Sequence, residues 1–590
     1  MSRVIGFVTE VSDEKISLEL DKELTNFNLL INGNLYRIGQ VGMFLQIYVG
    51  LVKVIIMVDR VYLRDEDIEL EGIKRYLDCS LLGFIDAKGK YINGSDYLPT
   101  IGDEVSILEE RTLKTIFETD IQNTIKLGNS SLNDDIEIYA NLNDLVLRHT
   151  GIFGNTGSGK SNFVGYLLHN LATSYPNSRS ILIDIHGEYT RYISGFSKTY
   201  SIQTNDNYDN LHIPYWLLKF DDLAKIVGLS TYSSLGIKSQ YDTVAEIIVD
   251  LKRENASEYG LSIKDINRDT PIKYDIKKLW YHIHHLGYAT FISAQVGADV
   301  FDFDKVAYDQ DTKGVDLKGD ASNLEKPVFK EVINKSIYRT NWGGFQTVAD
   351  NLYRILKNNR YEFLFGDNEY SLGKKSIADL ITNLIDNSNT NVTILNLSGI
   401  PHELMDIVIG SLLDIIFELI YNAYEIHSLD KTKCIKESRP LLICMDESHR
   451  YMVKDNNSLS FQSIQKIMKE GRKFGIGAWI ISQRPSNISP DILSQIGTFI
   501  GLRMTNREDS NSIKVFAQNN IGNFLNNLSG LKIGEAVGVG VSIKTPARFK
   551  IPLLDTVKNI KFDEQIDKWK RNYQDDNQYD DVVNKWRRKI

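Results

Sequence analysis

The stretch Gly154-Asn155-Thr156-Gly157-Ser158-Gly159-Lys160-Ser161 restricts what this chain can fold into more than any other. It fits the pattern G-x-x-x-x-G-K-[ST] at every fixed position. It lies between an apolar run ending in Gly151-Ile152-Phe153 and the helix-forming Asn162-Phe163-Val164-Gly165-Tyr166-Leu167-Leu168. Glycines let successive amides turn inward toward an anion, and a helix beginning at the loop's end adds free N–H groups and its positive dipole end. Gly154 to Ser161, with Asn162 at the helix start, are therefore candidate nucleotide-binding residues. Lys160 would reach the β- and γ-phosphates and the Ser161 hydroxyl would ligate Mg²⁺, so ATP and Mg²⁺ are the expected cofactors.

A second signature stands almost three hundred positions later. Leu441-Leu442-Ile443-Cys444-Met445 is a buried-strand run followed directly by Asp446-Glu447. Such a run is a weak signal alone and a strong one beside a phosphate loop. Asp446 would hold the Mg²⁺ shell, and Glu447 would accept a proton from the attacking water. Ligands of parallel sheets sit beyond the carboxyl ends of the strands. That rule places Asp184 and Glu188, at the end of the run beginning Ser180-Ile181-Leu182-Ile183, near the nucleotide. His186 between them reads as a loop residue, since no second histidine stands at zinc-ligand spacing. The run Ala478-Trp479-Ile480-Ile481-Ser482 likewise delivers Gln483 to the γ-phosphate or the attacking water. Arg472, after a basic amphipathic helix, reads equally as an arginine finger for a neighbouring subunit or as a helix cap.

Taken in order, the chain changes character several times. Up to about position 110 it shows short β-branched and aromatic runs, among them Val4-Ile5-Gly6-Phe7-Val8, Lys53-Val54-Ile55-Ile56-Met57-Val58 and 98–105, which suggest a small closed barrel. From position 136 the pattern is α/β. Between 205 and 390 helical periods at 241–251 and 345–356 are broken by an acidic tract, and a mainly helical insertion is expected. Asp299, Asp302 and Asp304 in that tract lack EF-hand spacing and read as a solvated loop. A long apolar helix is expected over 404–424. The boundaries are 1–115 for the barrel, taken as an assembly domain, 116–204 and 391–556 for the α/β core, 205–390 for the insertion and 557–590 for a charged helical tail. That tail reads by default as a solvated terminal helix; in a ring Trp569 and Trp586, which lack an apolar face, could instead clip onto a neighbouring subunit.

The net charge of −9 disfavours nonspecific coating of nucleic acid but permits a basic channel inside an acidic exterior. Cys79, Cys434 and Cys444 support neither a disulfide framework nor a zinc site. No apolar run reaches membrane-spanning length, and Met1-Ser2-Arg3-Val4 is no export signal. A cytoplasmic protein without a membrane partner is expected.

In sequence order, the phosphate loop, Asp-Ile-His-Gly-Glu-Tyr at 184–189, Asn-Leu-Ser-Gly-Ile-Pro at 396–401, Met-Asp-Glu-Ser-His at 445–449, Glu-Gly-Arg-Lys-Phe-Gly at 470–475 and Ser-Gln-Arg-Pro at 482–485 resemble the HerA branch of the FtsK–HerA hexameric DNA translocases. The resemblance covers roughly 1–200 and 390–555, including Leu98-Pro99-Thr100-Ile101-Gly102-Asp103 in the barrel, and leaves the insertion unexplained. It implies a RecA-like P-loop NTPase core in a homo-hexamer with duplex DNA through the pore. It implies too that Gln483 senses phosphate, that Arg472 is a trans finger and that Arg148 is a second arginine of that kind. Relatives of this type work with a nuclease or a sirtuin-like NADase in DNA-end processing or phage defence. Ser448 stands where related proteins often carry Ala.

Two functions follow. One is an ATP-driven DNA translocase or helicase acting with a partner effector; the other is a nucleotide-regulated ring scaffold that controls such an effector without processive translocation. An ABC-type ATPase is disfavoured, because Leu528-Ser529-Gly530-Leu531 is an incomplete signature and follows the Asp-Glu strand.

Overall fold

The computed structural model describes residues 4–554 except 13–14, 22–27, 32–33, 65–73, 95, 119–121, 194, 203–207, 232–238, 293–300, 333–337, 340–343, 386–389, 401, 432–438, 454–457, 517–524 and 526–527, together with 579–580, 583–584 and 587. The expectations for Asp299, Cys434, Trp569 and Trp586 fall outside the described residues.

Six antiparallel strands at the amino end close into a barrel. Val4–Val11, Ile16–Leu20, Tyr76–Ile85, Val52–Tyr62, Phe44–Val49 and Glu104–Ile107 pair in that circular order, and the pairing of Ile16–Leu20 with Tyr76–Ile85 shuts the ring. Side-chain alternation explains the uninterrupted apolar run in the longest strand. Val54, Ile56 and Val58 fill the barrel, whereas Ile55 and Met57 point the other way into the main core. The expected strand at 98–105 is shorter than its apolar residues suggest. Pro99 and Gly102, the latter at φ +93°, bend the chain into a turn, and the strand proper is Glu104–Ile107.

The main body is a twelve-stranded sheet. Its eight parallel strands run in the order Thr498–Leu502, Thr150–Phe153, Ile476–Ser482, Leu441–Met445, Ser180–Asp184, Val392–Asn396, Ser197–Ser201 and Asp209–Asn210. Four antiparallel strands, Glu535–Gly540, Ala547–Lys550, Thr124–Ser130 and Glu137–Asn141, extend the edge beside Thr498–Leu502. The central strands read as continuous apolar runs because helices cover both faces. Trp479, fully buried, donates its indole N–H to Leu145 O at 3.1 Å and fastens the short helix Leu142–Leu147 across the sheet's amino edge.

Between Asp209–Asn210 and Val392–Asn396 the chain leaves the sheet and builds a mainly helical insertion. Gln240–Glu254, Ile276–Tyr288 and Phe345–Lys357 are its longest helices. The sheet itself runs past position 204, since Asp209–Asn210 is its edge strand. Helix His402–Leu429 then lies against helix Leu459–Glu470, which leads into the turn Gly471–Phe474. The architecture is thus α/β, a RecA-like P-loop NTPase core carrying a small amino-terminal barrel and a mainly helical insertion. Among the described residues no helix is long and apolar enough to cross a membrane.

Candidate nucleotide site

Register brings the two signatures together. Phe153 is level with Ser482, and Met445 is level with Ile480 on one side and Ile183 on the other. The carboxyl ends of four neighbouring strands therefore present Gly154, Gln483, Asp446 and Asp184 along one edge of the sheet. Strand Ile476–Ser482 lies between the phosphate-loop strand and the Asp446-Glu447 strand, so Gln483 emerges between them.

The loop is held from below and beside. Gly154 N–H donates to Ser482 O at 3.2 Å, Asn155 N–H to Arg503 O at 3.0 Å, and the Asn155 amide to the Thr505 hydroxyl at 2.8 Å. A Cβ on Gly154 would stand 2.7 Å from Ser158 Oγ and 2.8 Å from Leu502 Cβ, so only glycine fits. Gly157 and Gly159 lie at φ +76° and +104°, a region that costs a side-chain-bearing residue about 1 kcal/mol or more. Helix Lys160–Ser174 starts immediately after.

Lys160 is buried, and its amine donates to Gly154 O at 2.9 Å. Burial pulls its pKa down, against the opposing pull of Glu447, Asp446 and Glu188. Lys160 and the Asp446-Glu447 pair thus share one pocket. Asp446 takes a hydrogen bond from the Tyr189 hydroxyl at 3.2 Å, and Tyr451 donates to its carbonyl at 2.8 Å. Burial first, and then the charges of Glu447 and Asp184, push the Asp446 carboxyl up to about 8. Acidic groups crowded in this way suit a cation, and Mg²⁺ needs only one or two protein oxygens beside phosphate and water. The Ser161 hydroxyl, 3.3 Å from Glu188 Oε2, and the Asp446 carboxylate are the donors present for it.

Glu447 sits at φ +47°, a left-handed conformation rare for a residue with a side chain. Its nearly buried carboxylate accepts from the Gln483 amide and lies 3.3 Å from His449 Nδ1. The Gln483 carbonyl oxygen in turn accepts from the Thr156 hydroxyl. His449 Nδ1 also lies 3.1 Å from Ser482 Oγ, and burial lowers the His449 pKa, which keeps the ring neutral at neutral pH. Ser448 donates to Ile481 O at 3.0 Å and stitches the two strands together.

The side chains of two expected nucleotide neighbours, Asp184 and Asn162, are bonded within the chain. Asp184 is fully buried and accepts N–H donors from His186, Gly187 and Tyr189 at 3.2, 2.8 and 2.9 Å. It closes the turn that carries Glu188 toward Ser161. Asn162 turns away from the loop. Its amide donates to Pro552 O at 3.1 Å, and its oxygen accepts from Leu554 N–H at 3.2 Å.

Arg148 and Arg472 lie at the opposite edge of the sheet. Arg148 immediately precedes the amino end of the loop strand and pairs with Asp144 at 2.9 Å. Arg472 is exposed on the turn Gly471–Phe474, just before Ile476–Ser482. The four-residue strand Thr150–Phe153 and its flanks separate Arg148 from the phosphate loop, roughly 16 Å at about 3.3 Å per residue, and the seven-residue strand Ile476–Ser482 separates Arg472 from Gln483. Neither arginine meets its own chain's Lys160. The turn is well fixed: Phe474 is buried against the rings of Phe417, Tyr421 and Tyr424, and Gly475 closes it at φ +80°. Tyr189 and His449 carry no site assignment from the sequence, and strand order alone brings them, and the bond of Thr156 to Gln483, into the site.

The family model described as "Helicase HerA, central domain" matches residues 125–416, and "Helicase HerA-like C-terminal" matches 377–549. The first match spans the insertion, which the sequence resemblance had left outside the family. The chain is 26% identical to the probable DNA double-strand break repair helicase HerA of Methanocaldococcus jannaschii, over 83% of this chain and 88% of that one. It is also 26% identical to the DNA double-strand break repair helicase HerA of Sulfurisphaera tokodaii, over 85% and 83%. Among solved structures, VirB4 of Thermoanaerobacter pseudethanolicus aligns with a TM-score of 0.44 at 13% identity, covering 74% of this chain and 98% of that one.

Proposed function

This chain belongs to the HerA family of P-loop ATPases, and from that premise we propose that it hydrolyses ATP as a ring of six copies and moves duplex DNA through the pore. The observation that carries the reading is the hydrogen-bonded path from Thr156 through Gln483 to Glu447, which ties the phosphate loop to the carboxylate that activates water. A change at the γ-phosphate position is thereby felt at the general base.

In this reading the loop amides hold the phosphates and Lys160 exchanges its bond to Gly154 O for phosphate oxygens. Ser161 and Asp446 would hold Mg²⁺, which would supply positive charge against the phosphate oxygens. Glu447 accepts the proton of the attacking water while Gln483 keeps the carboxylate oriented. Arg472, with Arg148 as a second cation, completes the site of the adjacent subunit. Their place at the far edge of the sheet supports a trans role, because neither can serve the loop of its own chain.

The proposal includes a companion effector enzyme, a nuclease or a sirtuin-like NADase, acting in DNA processing or phage defence in the cytoplasm. Co-purification from the native host followed by mass spectrometry identifies it. The motor itself is tested by ATP turnover with and without duplex DNA over a salt series. Turnover stimulated by duplex and progressively lost with salt is expected, since phosphate contacts release counterions. Turnover indifferent to duplex would replace the motor with a nucleotide-regulated scaffold.

A further inference from the structure

His149 stands between the two arginines and touches the segments that carry both. It is buried, and its backbone lies at φ +55°. Nδ1 accepts the Ala478 N–H at 3.1 Å, which leaves Nε2 as the protonated nitrogen, donating to Met468 O at 3.0 Å. Met468 lies in the last turn of the helix that delivers Arg472, and Ala478 lies in the strand that follows the Arg472 turn. The imidazole therefore grips the Arg472 turn from both sides. Its own backbone follows Arg148 directly, and the carbonyls of both residues accept the Gly497 N–H, at 2.9 Å from Arg148 and 3.1 Å from His149. Burial, together with the positive charge of Arg472, holds the ring at about 4, so it stays neutral and keeps this tautomer at neutral pH.

We infer that His149 is the positioning residue for the trans arginines: its two ring bonds fix the Arg472 turn relative to Arg148, so that both cations are presented together to the neighbouring subunit. The inference rests on the trans-finger reading above. It also gives the phosphate-loop strand a mechanical role. Thr150–Phe153 joins His149 at one end to Gly154 at the other, so the strand that holds one subunit's phosphates also anchors the arginines offered to the next. A left-handed backbone and a ring bonded at both nitrogens are a demanding combination for a residue that serves only to fill the core.

The test uses the full chain. His149→Asn tolerates the left-handed backbone and keeps an acceptor for Ala478 N–H, but cannot reach Met468 O. Expected are ATP binding within twofold of wild type and turnover lowered at least tenfold. In rings mixed with Glu447→Gln subunits turnover should recover to the level that Arg472→Ala subunits reach in the same mixture, because the Glu447→Gln subunits supply intact arginines to sites whose glutamate is intact. Unchanged turnover in His149→Asn overturns the inference, and so does joint loss of binding and turnover without recovery in mixed rings, the mark of a merely structural role. Normal turnover in Arg472→Ala removes the finger reading and the inference with it, whereas a defective Arg472→Ala beside a normal His149→Asn removes only the inference. Should the Asn variant not assemble, His149→Gln, which keeps a donor for Met468 O but loses the acceptor for Ala478 N–H, is expected to bind ATP, to lose turnover and to recover it in the same mixed rings; an assembled Gln variant with normal turnover overturns the inference.

Discussion

Gln483 donates its side-chain amide to the Glu447 carboxylate and accepts the Thr156 hydroxyl with the other end of the same amide. One planar group thus spans the gap between the phosphate loop and the residue that would activate water. The link exists because the strand ending in Ser482 is threaded between the two signature strands, although in sequence it follows both of them.

Replacing that amide should separate binding from chemistry. Gln483→Ala is expected to lower kcat by about 100–1,000-fold, the range for losing one positioned polar donor, while the KM for ATP moves less than about threefold. Steady-state turnover over an ATP series decides it. A rise in KM at unchanged kcat would mean that Gln483 only binds substrate.

Asp446 carries a pH signature. Its carboxyl holds a proton up to about 8 in the folded, ligand-free chain, against an ordinary value of about 3.9 unfolded. Between those values the folded state binds the additional proton. The stability this group contributes is therefore complete at low pH and is lost as pH rises toward 8. Asp446→Asn abolishes the titration, so it should raise the melting temperature of the nucleotide-free protein at both pH values, and by about 2 °C or more further at pH 8 than at pH 5. Thermal melts at the two pH values check this, and an equal shift at both would contradict it.

Asn162 separates a structural residue from a nucleotide ligand. Its two hydrogen bonds pin the segment after the last strand to the phosphate-loop helix. Asn162→Ala should cost about 1–2 kcal/mol of stability while ATP affinity stays within about threefold. Titration calorimetry beside a denaturation curve measures both, and a large loss of affinity without loss of stability would return Asn162 to the nucleotide.

The parts of this site that the sequence made legible are those written into contiguous residues. The loop from Gly154 to Ser161 announces itself because glycines, lysine and serine must follow one another to cradle phosphate, and Asp446-Glu447 because a buried run ends in two charges. Gln483 was legible as a strand end. What stayed hidden depends on neighbours distant in the chain. Asp184 looks like a free carboxylate until the turn it closes folds back on it, and the loop motif that includes Thr156 gives no hint that its hydroxyl bonds to Gln483. His149 carries no motif at all, and its meaning comes from Met468 and Ala478, more than three hundred positions away. The stretch 98–105 misleads because two of its apolar residues, Leu98 and Ile101, lie exposed on the turn before the strand, 58% and 74% accessible.

The central claim is that Lys160 and Glu447 serve one hydrolytic site, the first by holding the triphosphate and the second by priming water. ATP binding and ADP formation measured in parallel on Lys160→Ala and Glu447→Gln test it most directly. The account predicts that Lys160→Ala loses binding, and that Glu447→Gln binds ATP as the wild type does while its turnover falls by about a thousandfold or more. Normal ADP formation by either variant would contradict it.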